Sequence, residues 1–370
     1  MILAGVQFAV GTAIAQPPIV LRDLTLIRSN PVASFDSRGV VLADGRSLGW
    51  DQVLQASVQE DQQPKFDRFV REFGLPLFRL KTRIANGDWI AAGEIAEPLY
   101  QATVRSGEET ALDDSAYFTC LATMKFRLRQ GDVGSALIPF IRAAMLQANA
   151  TKSELEIAST GQIPRRDAET KLSSEILPIW FDESPLLELE KELNLLLQSN
   201  SESLTNSPGV TIYLASIKIE LGKTDEAMRL LRALDSTDPE IASWRTVLEA
   251  RIHQKTRNPL NAQTMLEING KSIAGLARPV ALYYRGINVL EQKDVSDLDR
   301  TKAILTLLRI PAIYGDVHQE LAAAALFQSA KITKLRGRDL DAQKLTNELL
   351  RRYPRTYHGA LELTDLKVVN

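Results

Sequence analysis

The sequence predicts a mostly α-helical fold of stacked antiparallel helix pairs behind a small N-terminal β module. Three observations carry that reading. A glycine-centred joint followed by an alanine five residues on recurs four times. From Phe66 onward the apolar residues fall at helical spacing. Before that point, short β-prone runs are separated by turn residues.

In chain order, Met1 to Ala15 carries no charged side chain and ends in Ala13-Ile14-Ala15, a small-x-small pattern of the kind signal peptidase reads. Gln16 and a Pro-Pro pair follow. The stretch is shorter than the ~20 apolar residues a spanning helix needs. No Lys or Arg precedes it, so either the amino terminus alone supplies the positive charge or the true start lies upstream. The expectation is a signal peptide over 1–15, cleaved after Ala15. The protein is then exported, periplasmic or secreted, without stable membrane insertion. Cys120 is the only cysteine, which excludes an intramolecular disulfide and a lipid anchor at the cleavage site. Within its apolar helical pattern it reads as a small buried hydrophobe.

Residues 16–58 read as the β module. Ile19-Val20-Leu21, Leu24-Thr25-Leu26 and Val40-Val41-Leu42 are the β-prone runs, and Asp44-Gly45 suits a tight hairpin. Three or four strands are expected, ending near Trp50, with a polar linker from Gln59 to Pro64. A first helical-repeat segment then covers 65–149, and an irregular linker with Gly161, Pro164 and Arg165-Arg166 covers 150–182. A second helical-repeat domain runs over 183–370.

The four joints pair Gly87 with Ala92, Gly131 with Ala136, Gly222 with Ala227, and Gly337 with Ala342. The glycine ends the first helix in a turn that a side chain would obstruct. The alanine lies where the two helices cross most closely, and further pattern positions at nine and twelve share its face. A less regular pair spans Val280 to Arg309, with Gly286 and Ala303 and a turn widened by Gln292 to Ser296. Pro98 and Pro139 fall inside second helices, where each should kink or shorten the helix.

These positions resemble the tetratricopeptide repeat, a helix-turn-helix of 34 residues that stacks into a superhelix. The best copy runs from Pro208 to about Asp238, with Leu214 and Ala215 in the first helix, Gly222 at the turn, Ala227 at the crossing, Leu231 in the aromatic position and Pro239 closing. The last copy, near Ala323 to Pro354, matches at Ala330, Gly337, Ala342 and Pro354. Its Tyr353-Pro354 boundary is similar to that of repeat proteins of the bacterial cell envelope, such as the outer-membrane assembly and Tol-Pal-associated families. The arrangement also resembles uncharacterised exported repeat proteins of planctomycete-type bacteria. The resemblance implies an α-solenoid. It departs at the early units, because Gly87 and Gly131 are further apart than one repeat.

Apolar residues make up 45% of the chain and charged residues 24%, enough for a packed core. Forty-four basic and 46 acidic residues are well mixed, so no overall field draws the protein onto nucleic acid. His253, His318 and His358 are the whole histidine supply, none paired at metal-ligand spacing. There is no phosphate-binding glycine loop and no nucleophile elbow. No catalytic residue, metal or cofactor is expected. Trp50, Trp89, Trp180 and Trp244 are too scattered for a base-stacking platform. Trp89 and Trp244 read as core, and Trp180 as a plug at the joint between the two helical halves.

Aligning the four glycines places Lys81, Lys125 and Lys331 at one equivalent position of the first helices, where Ser216 stands in the best copy. Arg129 and Lys334 lie a turn further on. The resemblance implies that this position faces a concave groove, so these cations form a candidate wall for an acidic peptide or a carboxyl terminus. Leu77, Leu121 and Phe327 would floor it. The function implied is a non-enzymatic interaction or scaffold protein of the envelope. Two alternatives stay open: an enzyme using Asp36, Asp44 or Asp51 between the β module and the first helices, and a structural subunit of an envelope complex.

Overall fold

A computed structural model describes residues 18–36, 39–104, 115–146, 170–199, 207–234, 237–292 and 294–361. The expected signal peptide and residues 150–169 of the expected linker lie outside the described residues. The structure is 66% helical, which fixes the class as mostly α with a small N-terminal β region. It divides into two compact units, Met1–Thr119 and Cys120–Asn370.

Among the described residues of the first unit, six short strands form two antiparallel sheets. Strands β1 (Ile19–Leu21), β2 (Leu26–Ile27) and β6 (Val53–Gln55) make one, in the order β2-β1-β6. Strands β3 (Val32–Phe35), β4 (Val40–Leu42) and β5 (Ser47–Leu48) make the other. The module therefore runs past Trp50, because Val53 and Gln55 pair back onto β1 rather than onto a sequence neighbour. The β4–β5 hairpin turns at Asp44-Gly45 as expected, with Gly45 at φ +86° and the Asp44 carboxylate accepting from the Arg46 amide at 3.0 Å. Trp50 centres the core of Ile19, Val40, Leu42, Val53, Phe66 and Phe69. Its ring stacks on Phe69 at 5.1 Å, and its indole N–H donates to the Asp36 carbonyl at 2.9 Å.

Helix α1 (Gln63–Phe69) passes through a π turn, Val70–Gly74, into α2 (Leu75–Ala85). There the Leu75 amide reaches back to the Val70 carbonyl, and Pro76, which has no N–H, follows. Helix α3 (Trp89–Leu99) is capped by Asp88, whose side chain accepts from the Ala91 amide at 3.2 Å. Pro98 near its end is followed by a second π turn, Tyr100–Val104.

The remaining helices are α4 (Ser115–Arg129), α5 (Val133–Leu146), α6 (Leu186–Ser199), α7 (Pro208–Glu220), α8 (Thr224–Ala233), α9 (Pro239–Lys255), α10 (Pro259–Ile268), α11 (Ala277–Leu290), α12 (Asp297–Ile313), α13 (Gln319–Leu335) and α14 (Asp339–Arg352). From α7 onward they pack in consecutive pairs, and the first helices α7, α9, α11 and α13 each touch the next. Pro139 does not shorten α5, which continues to Leu146. The carbonyl that proline cannot serve, that of Ser135, accepts instead from the Arg127 guanidinium at 2.7 Å.

The four joints share one geometry. Gly87, Gly131, Gly222 and Gly337 all have φ between +71° and +80°. In each, the glycine amide bonds three residues back and the next amide five back, as in Gly222 to Ile219 and Lys223 to Lys218. Ala92, Ala136, Ala227 and Ala342 are all buried. At Gly222 and Gly337 an added Cβ would meet nothing, so the backbone angle selects glycine there. At Gly131 it would also strike the Arg355 carbonyl.

A fifth joint has the same bonds without a glycine. Arg257 sits at φ +61°, its amide bonds to Gln254, and the Asn258 amide bonds to His253. Ala262, five residues on, and Leu266, nine on, are fully buried. Thus α9 and α10 form a further pair of the same kind. At Gly286 of α11, a Cβ would press on Leu307 and the Ala303 carbonyl, so this glycine and alanine set the close α11–α12 crossing.

Candidate functional site

Residues 170–185 form no helix and, apart from a bridge at Ser173, no strand; they lie as a bent strap along the first helices of the second unit. Gly209, at the start of α7, lets the strap pass, since a Cβ there would collide with the Thr170 carbonyl and the Leu172 amide region. One side chain then serves two strap backbone groups. The Tyr213 hydroxyl accepts from the Ser173 amide at 3.2 Å and donates to the Ile176 carbonyl at 2.6 Å. Glu175 pairs with Lys125 of α4 at 2.7 Å. The Trp180 indole donates to Ser216 Oγ at 2.9 Å, and that hydroxyl donates in turn to the Tyr213 carbonyl. Phe181 sets its ring edge-on to Tyr283 of α11 and to His358. Glu183 reaches Lys255 of α9 at 3.4 Å. Leu172, Ser173, Ile176, Leu177, Ile179 and Trp180 are buried.

The aligned joints explain this arrangement. Counting back the same distance from the five joint positions gives Lys81, Lys125, Ser216, Arg251 and Lys331. Within the second unit, Lys125 and Ser216 hold the strap directly. Arg251 and Lys331 line a cavity of about 390 Å³ at its end, together with Phe181, Tyr283, Tyr284 and Gln328. Arg251 is already engaged: it makes a bidentate pair with Glu220 at 2.8 and 2.9 Å and lies over the Tyr284 ring. Lys331 and Lys334 are exposed and no carboxylate pairs with them among the described residues, which also holds for Arg129 at the end of α4. Lys81 belongs to the first unit, where it pairs with Asp51 at 2.9 Å. Leu77 and Leu121 are buried, while Phe327 is half-buried against the His358 ring.

A second cavity of about 230 Å³ is also lined by Ile179, Trp180 and Phe181, together with the Gln130–Gly134 turn, Glu320 and Thr356. Burial pushes the Glu320 carboxyl up to about 7, against a hydrogen bond from the Tyr357 amide at 3.1 Å that pulls it down. Burial lowers His318 to about 4, opposed by a hydrogen bond with the Ser174 backbone, and lowers His358 to about 4. Both imidazoles under the strap are therefore neutral at pH 7.

The three carboxylates of the enzymatic alternative are each held separately. Asp36 accepts from the Gly39 amide, Asp44 pairs with Arg46 inside the hairpin turn, and Asp51 pairs with Lys81. Among the described residues no group of three or more His, Cys, Asp or Glu side chains is placed to hold a metal ion. None of the described helices is long and apolar enough to cross a membrane. Cys120 is buried, and its thiol is pushed well above the usual range by burial.

Sequence reasoning missed Arg251, because its joint carries arginine in place of glycine. The Asn258-Pro259 cap with Ala262 and Leu266 was the available signal. It also missed a network of charges in which Glu190 of α6 pairs with Lys218 at 2.7 Å and Lys223 at 2.6 Å, and Lys218 also binds Glu226. Lys223 is therefore the partner of a buried carboxylate. No family model, curated protein or solved structure matches the chain.

Proposed function

We propose that the chain is a non-enzymatic interaction or scaffold protein that binds a peptide or protein on the concave face of a tetratricopeptide-type α-solenoid. One observation carries the reading. A single register position of four helix pairs, occupied by Lys125, Ser216, Arg251 and Lys331, faces one non-helical segment of the chain or the opening at its end. Lys125 meets that segment through an ion pair and Ser216 through the Trp180 indole, while Tyr213 on the same helix as Ser216 bonds two of its backbone groups, elements by which a groove reads a peptide. At the opening, Lys331 and Lys334 offer free ammonium groups to an acidic partner. The apolar start of the chain and the Tyr353-Pro354 boundary support placing it in a bacterial envelope, as an exported protein. The test is affinity capture from an envelope fraction with the purified chain, beside Lys331→Glu/Lys334→Glu. A partner recovered by the parent, weakened by salt and lost with the variant supports the reading. Identical recovery by a folded variant overturns it.

A further inference from the structure

We propose that residues 170–185 are the resident peptide of this groove, and that an external peptide of the same chemistry competes with them for Lys125, Tyr213 and Ser216. The proposal rests on the peptide-binding reading and names its ligand class: a non-helical segment with an acidic residue five positions before a tryptophan, as Glu175 stands to Trp180. The strap is held as a ligand is held. Its Ser173 amide and Ile176 carbonyl find their partners on a helix side chain. Its tryptophan N–H and its carboxylate are met by side chains at the same register position of two different pairs. Ile179, Trp180 and Phe181 also line both cavities, so the strap borders open volume at its aromatic end. Backbone held by the Tyr213 side chain at Ser173 and Ile176 rather than by a helical ladder opens at lower free energy than paired helices. A competing peptide then binds only the fraction of molecules whose strap has lifted, and its apparent affinity is reduced by that fraction.

The probe is a labelled synthetic peptide with the sequence of residues 170–185, titrated by anisotropy into the full chain. The parent is expected to bind it weakly. Glu175→Ala/Trp180→Ala, which removes the two side chains of the resident strap that Lys125 and Ser216 hold, should tighten binding by about tenfold or more. Adding Lys125→Glu and Ser216→Leu to that variant should abolish the gain. A folded release variant that binds no better than the parent overturns the proposal. Concentration-dependent dimerisation of the release variant also overturns it, by assigning the groove to a second copy of the chain. Should the release variant not fold, hydrogen exchange on the parent decides. Strap amides exchanging well ahead of those in α7 and α9 support the proposal, and equal protection overturns it. If the strap peptide fails while the Lys331-dependent partner is still captured, this inference falls and the peptide-binding reading stands. If both fail, both fall.

Discussion

Arg257 offers a quantitative test of the repeat geometry, because it holds a backbone angle that four glycines hold at the equivalent joints. A non-glycine residue in the left-handed region costs roughly 1–2 kcal/mol. Replacing it with glycine relieves that strain but adds backbone freedom to the unfolded chain, worth about 0.5–1 kcal/mol. The Arg257 side chain is exposed and makes no ion pair among the described residues, so nothing else is lost. Arg257→Gly should therefore stabilise the second unit by about 0.5–1 kcal/mol, raising its melting temperature by ~1–4 °C at the usual 2–4 °C per kcal/mol for domains of this size. Gly222→Arg is the mirror experiment. Its φ is +75° and an added Cβ meets nothing, so only the backbone term acts, and stability should fall by a similar amount. Urea unfolding followed by circular dichroism reads both midpoints. An unchanged or lowered midpoint for Arg257→Gly, or tolerance at Gly222, would refute the claim that one turn geometry is repeated at these joints.

The other expectations concern packing, charge and pH. Ala227 is fully buried at its crossing, so Ala227→Leu should cost ~1–3 kcal/mol by overpacking, while exposed Arg229→Ala should stay near neutral in the same unfolding assay. Burial alone would raise the Glu190 carboxyl, but Lys218 and Lys223 outweigh it and hold it below its usual range. Glu190→Leu leaves the Lys218 ammonium, only 10% exposed, with Glu226 as its one remaining carboxylate, and should destabilise by roughly 1–3 kcal/mol in chemical denaturation. His318 and His358 are depressed to about 4, so the unfolded chain takes up protons that the folded chain refuses. Stability should fall as pH drops from about 6.5 to about 4, and His358→Gln should flatten that slope; an unaltered slope would count against neutral burial. Glu320, raised to about 7, has the opposite sign: its penalty grows as pH rises from about 4.5 to 7, so Glu320→Gln should gain stability at pH 7 relative to pH 5.

The helix pairs were legible because their signals are local. A glycine at positive φ and an alanine five residues on specify one turn and one crossing, and both can be read within a dozen residues. The joint at Arg257 escaped because a left-handed turn is expected at glycine, and here arginine holds it. Strand β6 escaped because its three residues gain stability only by pairing with β1 at the start of the module. The strap was the least legible element. Its contacts join residues such as Lys125 to Glu175 and Trp180 to Ser216, which no periodicity relates. Trp180 was expected to plug the joint between the two helical halves, and its slot is made by Tyr213 and Ser216 on a single helix. The register drawn from the glycines did place Lys125, Ser216 and Lys331 on equivalent positions. What it lacked was the knowledge that an acidic segment of the same chain meets the first of them.

The central claim is that the face carrying this register binds a peptide or protein partner. The most direct measurement places a photo-reactive amino acid at Gln328, which lines the opening beside Lys331, and separately at exposed Leu305 on the second helix α12. Irradiation in the presence of an envelope fraction, followed by mass spectrometry, reports what lies against each position. The account predicts one discrete adduct, mapping to an acidic stretch of a single partner, from Gln328 and none from Leu305. Equal labelling from both positions, or an adduct from Leu305 alone, would contradict it.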